Sequence, residues 1–219
     1  MKRHKNTMNT AFILSAIPIV HDAIISHENE LESLDRAIGD GDHFVNMKRG
    51  CETINAMKNE LKNLAPDAAL NQIGIKLLST IGGASGPLLA SFFMAMAKAY
   101  KENPHQPNQP LLCTAAAFAA GVKAIMHRGK SDIGEKTMLD VLIPVSTAFT
   151  TLAAQNKPPY EIYHALKLEA NKGVLATKDL VATKGRAAFL GERAVGHIDA
   201  GAKSCQVIIE AVCDLALRV

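Results

Sequence analysis

Apolar residues along this chain fall at three- and four-residue spacing, and no stretch of convincing length alternates apolar and polar. The run from Phe12 to Val20 continues amphipathically through Ala23, Ile24 and Ile25. It predicts a first helix over residues 10–27, kinked at Pro18. Residues 28–44 carry Leu31 and Leu34 and end in an acidic, glycine-containing loop. A second helix over 45–64 follows from Val45, Met47, Ile54, Met57, Leu61 and Leu64. Ala65, Pro66 and Asp67 make a short turn, and Leu70, Ile73, Leu77 and Leu78 mark a third helix over 68–81. The Gly82 to Pro87 stretch reads as a glycine C-cap, then Ser85 or Gly86 as N-cap, with Pro87 in the first helical position of a fourth helix ending near Lys101. A Pro-rich polar linker spans 102–110.

Four more helices are expected, over 111–127, 135–154 (kinked at Pro144), 159–177 and 202–217. Residues 178–201 have no clear period. Helices joined by short loops run up and down against their neighbours, so the expected fold is an all-α bundle of eight antiparallel helices. In such a bundle alternate loops share an end. The loops 28–44, 82–86, 128–134 and 178–201 hold nearly all the glycine-rich and charged sequence, whereas the intervening ones read as plain connectors. One end of the bundle therefore collects the unusual motifs.

Composition narrows the class. Of 219 residues, 48% are hydrophobic but only 5% aromatic, which favours close-packed helices over a β-sandwich. The net charge of +3 is scattered apart from Lys2 to Lys5, leaving no basic track for nucleic acid. Residues 1–9 read as a basic tail and 10–219 as one domain. The tail followed by the Phe12–Val20 run imitates a secretory signal, but no small-residue cleavage site follows Val20. No apolar stretch reaches membrane-spanning length. Cys51, Cys113, Cys205 and Cys213 lack metal-ligand spacing and read as core residues in a reducing, cytoplasmic setting.

The chemistry concentrates first in residues 34–46. Asp35, Asp40 and Asp42 fall close together, Gly39 and Gly41 interleave them, and His43 and Asn46 follow. On a continuous helix Asp35 and Asp40 would stand about 140° apart. A loop instead lets all three carboxylates converge, and convergent carboxylates need a cation among them. Oxygen-only ligands suit Mg²⁺. The alternative is an acidic turn with a helix cap. The glycines at 82–86 present free N–H groups at a helix start, a geometry that accepts phosphate, although an ordinary turn reads the same way. At the start of the sixth helix Thr137 offers a hydroxyl, and Met138 either flanks a base or fills the core. Arg186, beside Gly185, is the preferred phosphate partner, and Arg193 next to Glu192 fits a structural ion pair equally well. Asp199 either caps the last helix or faces a ligand. His43 and His197 lack partners at zinc spacing, so His43 is read as a hydrogen-bonding neighbour of the site.

Taken together and in order, the Asp35–Asn46 stretch, Gly82–Pro87, Gly134–Asp140 and Gly185–Asp199 resemble the nucleotide-binding L subunit of dihydroxyacetone kinase. The resemblance covers nearly the whole chain. It implies a closed barrel of eight antiparallel helices, with two Mg²⁺ ions held by Asp35, Asp40 and Asp42 and bridging the phosphates of ADP or ATP. It further implies nucleotide contacts from His43, Phe44, Val45, Asn46, Ala84, Ser85, Gly129, Met138, Arg186, Asp199, Ala200 and Gly201. Arg186 would offset charge on the transferred phosphoryl group. The ketone would sit on a K-type partner subunit, without which the chain has no turnover.

Two versions follow from the resemblance. ADP stays resident and is rephosphorylated by an M-type protein of the phosphotransferase system, or ATP exchanges freely. The length of the chain leans towards the first. A regulatory Mg-nucleotide module without catalysis is the rival, and monomer or homodimer is left open. The sequence departs from the family at Phe44, where glycine is usual, at Ala188 and Phe189 for Ser-Tyr, and at Ala200 for proline. Phe44 is expected to narrow the entrance or reshape how a partner docks.

Overall fold

A computed structural model describes residues 8–103, 109 and 111–218. The basic residues Lys2 to Lys5 and most of the 102–110 linker lie outside the described residues. Ten α-helices follow in order: α1 (Thr10–Ser26), α2 (Glu28–Ile38), α3 (His43–Ala56), α4 (Lys58–Leu61), α5 (Pro66–Thr80), α6 (Ser85–Glu102), α7 (Leu112–Gly129), α8 (Leu139–Ala154), α9 (Pro159–Ala176) and α10 (Ala200–Arg218). The described residues contain no β-strand.

Eight of these helices close a ring. α5, α6, α7, α8, α9 and α10 pack each on the next, α10 packs on α1, α1 on α3 and α3 on α5. These are the eight helices that the apolar periodicity predicts, and the fold is the expected all-α bundle. Local signals set the ends. Asn9 accepts the Phe12 N–H at 2.8 Å and caps α1. Pro66 and Pro159 open α5 and α9, where the missing N–H has no helical partner to lose. Pro18 and Pro144 sit inside α1 and α8 without ending them. The ring is hollow: an apolar cavity of 320 Å³ runs inside it, lined among others by Phe12, Ile17, Phe92, Phe118, Phe149 and Leu166.

Three stretches differ from expectation, over 28–38, 43–64 and 134–139. Residues 28–38 form α2 rather than loop. Leu31 and Ile38, seven residues apart and hence on one face, are both buried, and the Arg36–Glu32 pair at 2.7 Å supports the exposed side. α2 bends 62° from α1 and stands outside the ring, against α3, α10 and residues 186–194. The second expected helix starts at His43 and breaks at Met57 into α3 and α4, which turns Leu61 fully into the core. The helix expected from Glu135 starts at Leu139, because Gly134 and Lys136 both have left-handed φ, +86° and +59°. Residues 178–201 are mostly irregular, with 3-10 turns at Thr177–Asp179 and Arg186–Ala194.

Phe44 corrects a further expectation. Its side chain is buried among Ile24, Leu31, Met47 and Val207, beneath the acidic loop, and does not narrow an entrance. It ties α3 to α1, α2 and α10. Asp199 meanwhile caps α10 by accepting the Ala202 N–H at 2.7 Å. Burial pushes its carboxyl up to about 6. The Ala202 N–H and the Lys136 ammonium oppose that shift, and Asp140 and Asp35 add to it.

Two outcomes follow. Phe44→Ala empties a closed cluster and should lower unfolding free energy by about 3 kcal/mol in urea titration. The second concerns pH. Asp199 binds its proton more tightly folded than unfolded, so its contribution to stability is full below about pH 4 and is lost as pH rises through about 6. Asp199→Asn keeps the capping oxygen without the charge. It should therefore gain about 1–2 kcal/mol on the wild type between acidic and neutral pH, measured by paired denaturant curves.

Candidate functional site

The acidic turn is built where α2 stops. Asp35 lies in the last turn of α2, not in the loop, and Asp40 and Asp42 follow the helix end at Ile38. Gly39 passes so close that a β-carbon there would fall 1.9 Å from Asp35 Oδ1. Gly41 takes φ +78°, which a side chain would disfavour. These two glycines let the chain fold back on the carboxylate before α3 begins. Asp35 Oδ2 then accepts the His43 N–H at 3.0 Å, so one side chain joins the end of α2 to the start of α3. One carboxylate oxygen from each of Asp35, Asp40 and Asp42 lies within 4.8 Å of the others.

Such crowding has an electrostatic consequence. The Asp42 carboxyl is pushed above the usual range, by partial burial first and then by the Asp40 charge, with Asp35 adding to it and Asn46 opposing. The Arg186 Nε stands 2.7 Å from Asp40 Oδ2 in an ion pair. The Arg186 side chain is 70% exposed, so this cation can turn to another anion nearby. The three carboxylates fit a hard divalent cation: all donors are oxygen, they converge, and their mutual repulsion is what such an ion relieves.

The neighbouring motif residues gather around this turn. His43 Nε2 stands 2.6 Å from Ser204 Oγ on α10. The Ser204 hydroxyl donates to the Ala200 carbonyl, which leaves its oxygen to accept from His43 and assigns the imidazole N–H to Nε2. Burial holds the His43 pKa below the ordinary value, against Asp35 and Asp42, which raise it. The Phe44 side chain points into the core, Val45 is about half exposed, and Asn46 is buried beside Asp42. A β-carbon at Gly82 would come 3.2 Å from Asn46 Oδ1, which brings the glycine turn against the acidic one. Ala84 is exposed and Ser85 opens α6.

The opposite wall comes from α7, α8 and α10. Gly129 ends α7, and a β-carbon on it would stand 3.4 Å from Leu88 in α6. Met138 is half-buried before α8, 3.8 Å from the β-carbon position of Gly201. Asp199 caps α10, and its charge reaches Asp35. Ala200 is buried in the first turn. The four loops that parity assigned to one end are thus linked by contact. Three residues escaped sequence reasoning: Ser204, Asp140 and Lys136. Asp140 accepts the N–H groups of Gly134 and Thr137 at 2.6 and 2.7 Å. Lys136, buried to 1% exposure, donates to the carbonyls of Thr177 and His197. A charged pair four residues apart at a helix start was the available signal, but it reads equally as a solvent-facing pair.

An oxygen-lined cation position, an exposed guanidinium paired only at the surface and a helix N-terminus together suit a metal-bound phosphate. Comparison with known proteins agrees. Residues 37–214 match the DAK2 domain. The chain is 35% identical over 209 residues to the ADP-binding subunit DhaL of PEP-dependent dihydroxyacetone kinase 2 from Listeria innocua, covering 94% of this chain and 95% of that one. It is 37% identical over 197 residues to the ADP-binding subunit DhaL of the PTS-dependent dihydroxyacetone kinase of Lactococcus lactis, covering 89% and 92%. The solved dihydroxyacetone kinase of C. freundii superposes with a TM-score of 0.72 at 25% identity, over 95% of this chain and 35% of that chain. The same kinase is solved in complex with AMP-PNP and Mg²⁺, with a TM-score of 0.72 at 24% identity, over 93% and 34%. This chain thus spans about a third of that kinase. With the domain match covering most of its residues and such relatives matched nearly end to end, the chain belongs to the DAK2 domain family, alongside the DhaL subunits of dihydroxyacetone kinases.

Proposed function

We propose that this chain is the nucleotide-bearing subunit of a dihydroxyacetone-type kinase, presenting a phosphoryl group to a ketone held on a K-type partner subunit. The observation that carries the reading is the convergence of Asp35, Asp40 and Asp42, with Arg186 alongside. Its relatives' names support the choice of nucleotide: they are ADP-binding subunits. ADP is then a resident cofactor, rephosphorylated by a phosphoprotein of the phosphotransferase system. Two of those relatives are PEP- and PTS-dependent by name, which favours this version over freely exchanging ATP.

In this reading Asp35, Asp40 and Asp42 hold two magnesium ions, the usual number where a metal pair clamps a phosphoryl transfer. Bound there, magnesium neutralises phosphate charge and orients the leaving oxygen. Arg186 leaves Asp40 for the transferred group, where a planar fork matches two phosphate oxygens. The backbone N–H groups at Ala84 and Ser85 face the phosphates from the start of α6. Asp35 keeps the geometry, because its link to the His43 N–H fixes where α3 begins. His43, tied to Ser204, orients rather than transfers a proton. Met138 and the 199–201 corner enclose the base.

Asp40→Ala removes one oxygen donor and the partner of Arg186. It should abolish Mg-dependent ADP binding in calorimetry while circular dichroism keeps its helical signal, and unchanged affinity would return the aspartates to a capping role. The catalytic half is tested by reconstitution. The purified chain alone should turn over no ketone. Together with a K-type subunit and a phosphorylated donor protein it should phosphorylate dihydroxyacetone, and inactivity with every ketotriose and ketotetrose tried would leave a regulatory nucleotide module. Denaturing the native protein and identifying what it releases decides the donor: ADP in near-stoichiometric amount fits the resident cofactor, and an empty site fits exchange.

A further inference from the structure

Lys136 is the most deeply buried charged residue among the described residues, at 1% exposure. Its ammonium donates to the carbonyls of Thr177, at the end of α9, and of His197, in the turn before α10, the latter at 2.5 Å. The residue itself stands before α8 with φ +59°, a left-handed conformation that its β-carbon disfavours. Two further contacts hold the same knot. The Thr177 hydroxyl donates to the Val174 carbonyl and accepts the Asp199 N–H at 3.1 Å. Asp140 fastens the 134–137 turn from within α8. Burial lowers the affinity of Lys136 for its proton, and Asp199, Asp140 and Asp179 oppose that loss. Three pieces of chain that are distant in sequence therefore meet on one side chain.

What they position is specific. The turn carrying Lys136 leads directly into Met138, and the turn carrying His197 leads into Asp199, Ala200 and Gly201. Met138 and Gly201 pack against each other, the β-carbon position of Gly201 lying 3.8 Å from both Met138 N and Cβ, so the two turns form one continuous wall. We propose that Lys136 is a positioning residue for the nucleotide base: by clamping the Thr177 and His197 carbonyls it holds Met138 against the Asp199–Gly201 corner, as one wall on which the base lies. This rests on the nucleotide-binding reading above. Lys136 is enclosed and acts through its neighbours. The acidic turn is held separately, by Asp35 and His43, so the base wall and the phosphate end have different supports.

That separation gives a test that a merely structural lysine would not pass. Calorimetry compares Mg·ADP, which needs both ends, with Mg·pyrophosphate, which needs only the metal and phosphate end. Lys136→Met keeps the stem and removes the ammonium. It should weaken Mg·ADP roughly 10- to 100-fold, the size expected when buried carbonyls lose a charged donor. Mg·pyrophosphate should stay within about twofold, as expected of an independent site. If Lys136→Met loses its helical signal, Thr177→Val, which keeps the side-chain volume, is read instead. It should show the same split with a loss of roughly three- to tenfold for Mg·ADP. In the folded variant, equal losses for both ligands, or none for either, overturn the proposal. Wild type that binds Mg·pyrophosphate but gains nothing from the adenosine also overturns it and leaves the metal site standing. Wild type that binds neither ligand removes the nucleotide reading itself, and the proposal with it.

Discussion

Three carboxylates held within 4.8 Å of one another are the constraint on which this end of the molecule depends. Left alone in water such groups would move apart. Here they are held by backbone: Gly39 passes against the Asp35 carboxylate, Gly41 reverses the chain, and Asp35 is fixed at both ends, by α2 beneath it and by the His43 N–H beyond. Burial first, and then the neighbouring Asp40 charge, make the Asp42 carboxyl hold its proton more strongly than usual. A protein that needed only a helix cap has no use for this arrangement, since one acceptor oxygen suffices for a cap.

The rigid surroundings explain how the turn persists. α2 lies outside the ring and packs against α3, α10 and the 186–194 segment, so every support of the acidic turn touches it. Phe44 sits directly after the turn and is sealed among Ile24, Leu31, Met47 and Val207. There it is a buried aromatic that ties four helices together. Phe44 therefore bears on stability, and beside it Val45 is about half exposed while Asn46 is buried.

The ring was legible because its helices are long and each buries a stripe at helical spacing. Loop parity in an up-and-down bundle puts the motif loops at one end. α2 was not legible: of its eleven residues only Leu31 and Ile38 are buried, and the charged remainder reads as loop. The start of α8 was misplaced for a different reason. Lys136 takes a left-handed φ in a turn, its side chain held by carbonyls from distant segments, and lysine carries no local signal for that conformation. Asp35, Asp40 and Asp42 could be paired with each other from spacing, but the tie from His43 to Ser204 crosses the whole sequence and had no precursor in it.

Two cations serve this site in opposite ways. Arg186 meets Asp40 with 70% of its side chain exposed, and an ion pair in that setting is worth about 0–1 kcal/mol. Breaking it is easy, so on the proposed reading Asp40 would be available to hold a cation and the Arg186 guanidinium would be available to a phosphate. Lys136 is buried, and separating its ammonium from two carbonyls would leave all three groups unsatisfied in the interior, at about 1–3 kcal/mol or more for each. That contact does not exchange. The chain thus separates a loosely held, exposed charge from a fixed, buried one. The movable charge sits on an irregular segment outside the ring, and the fixed one is locked between α8, α9 and α10.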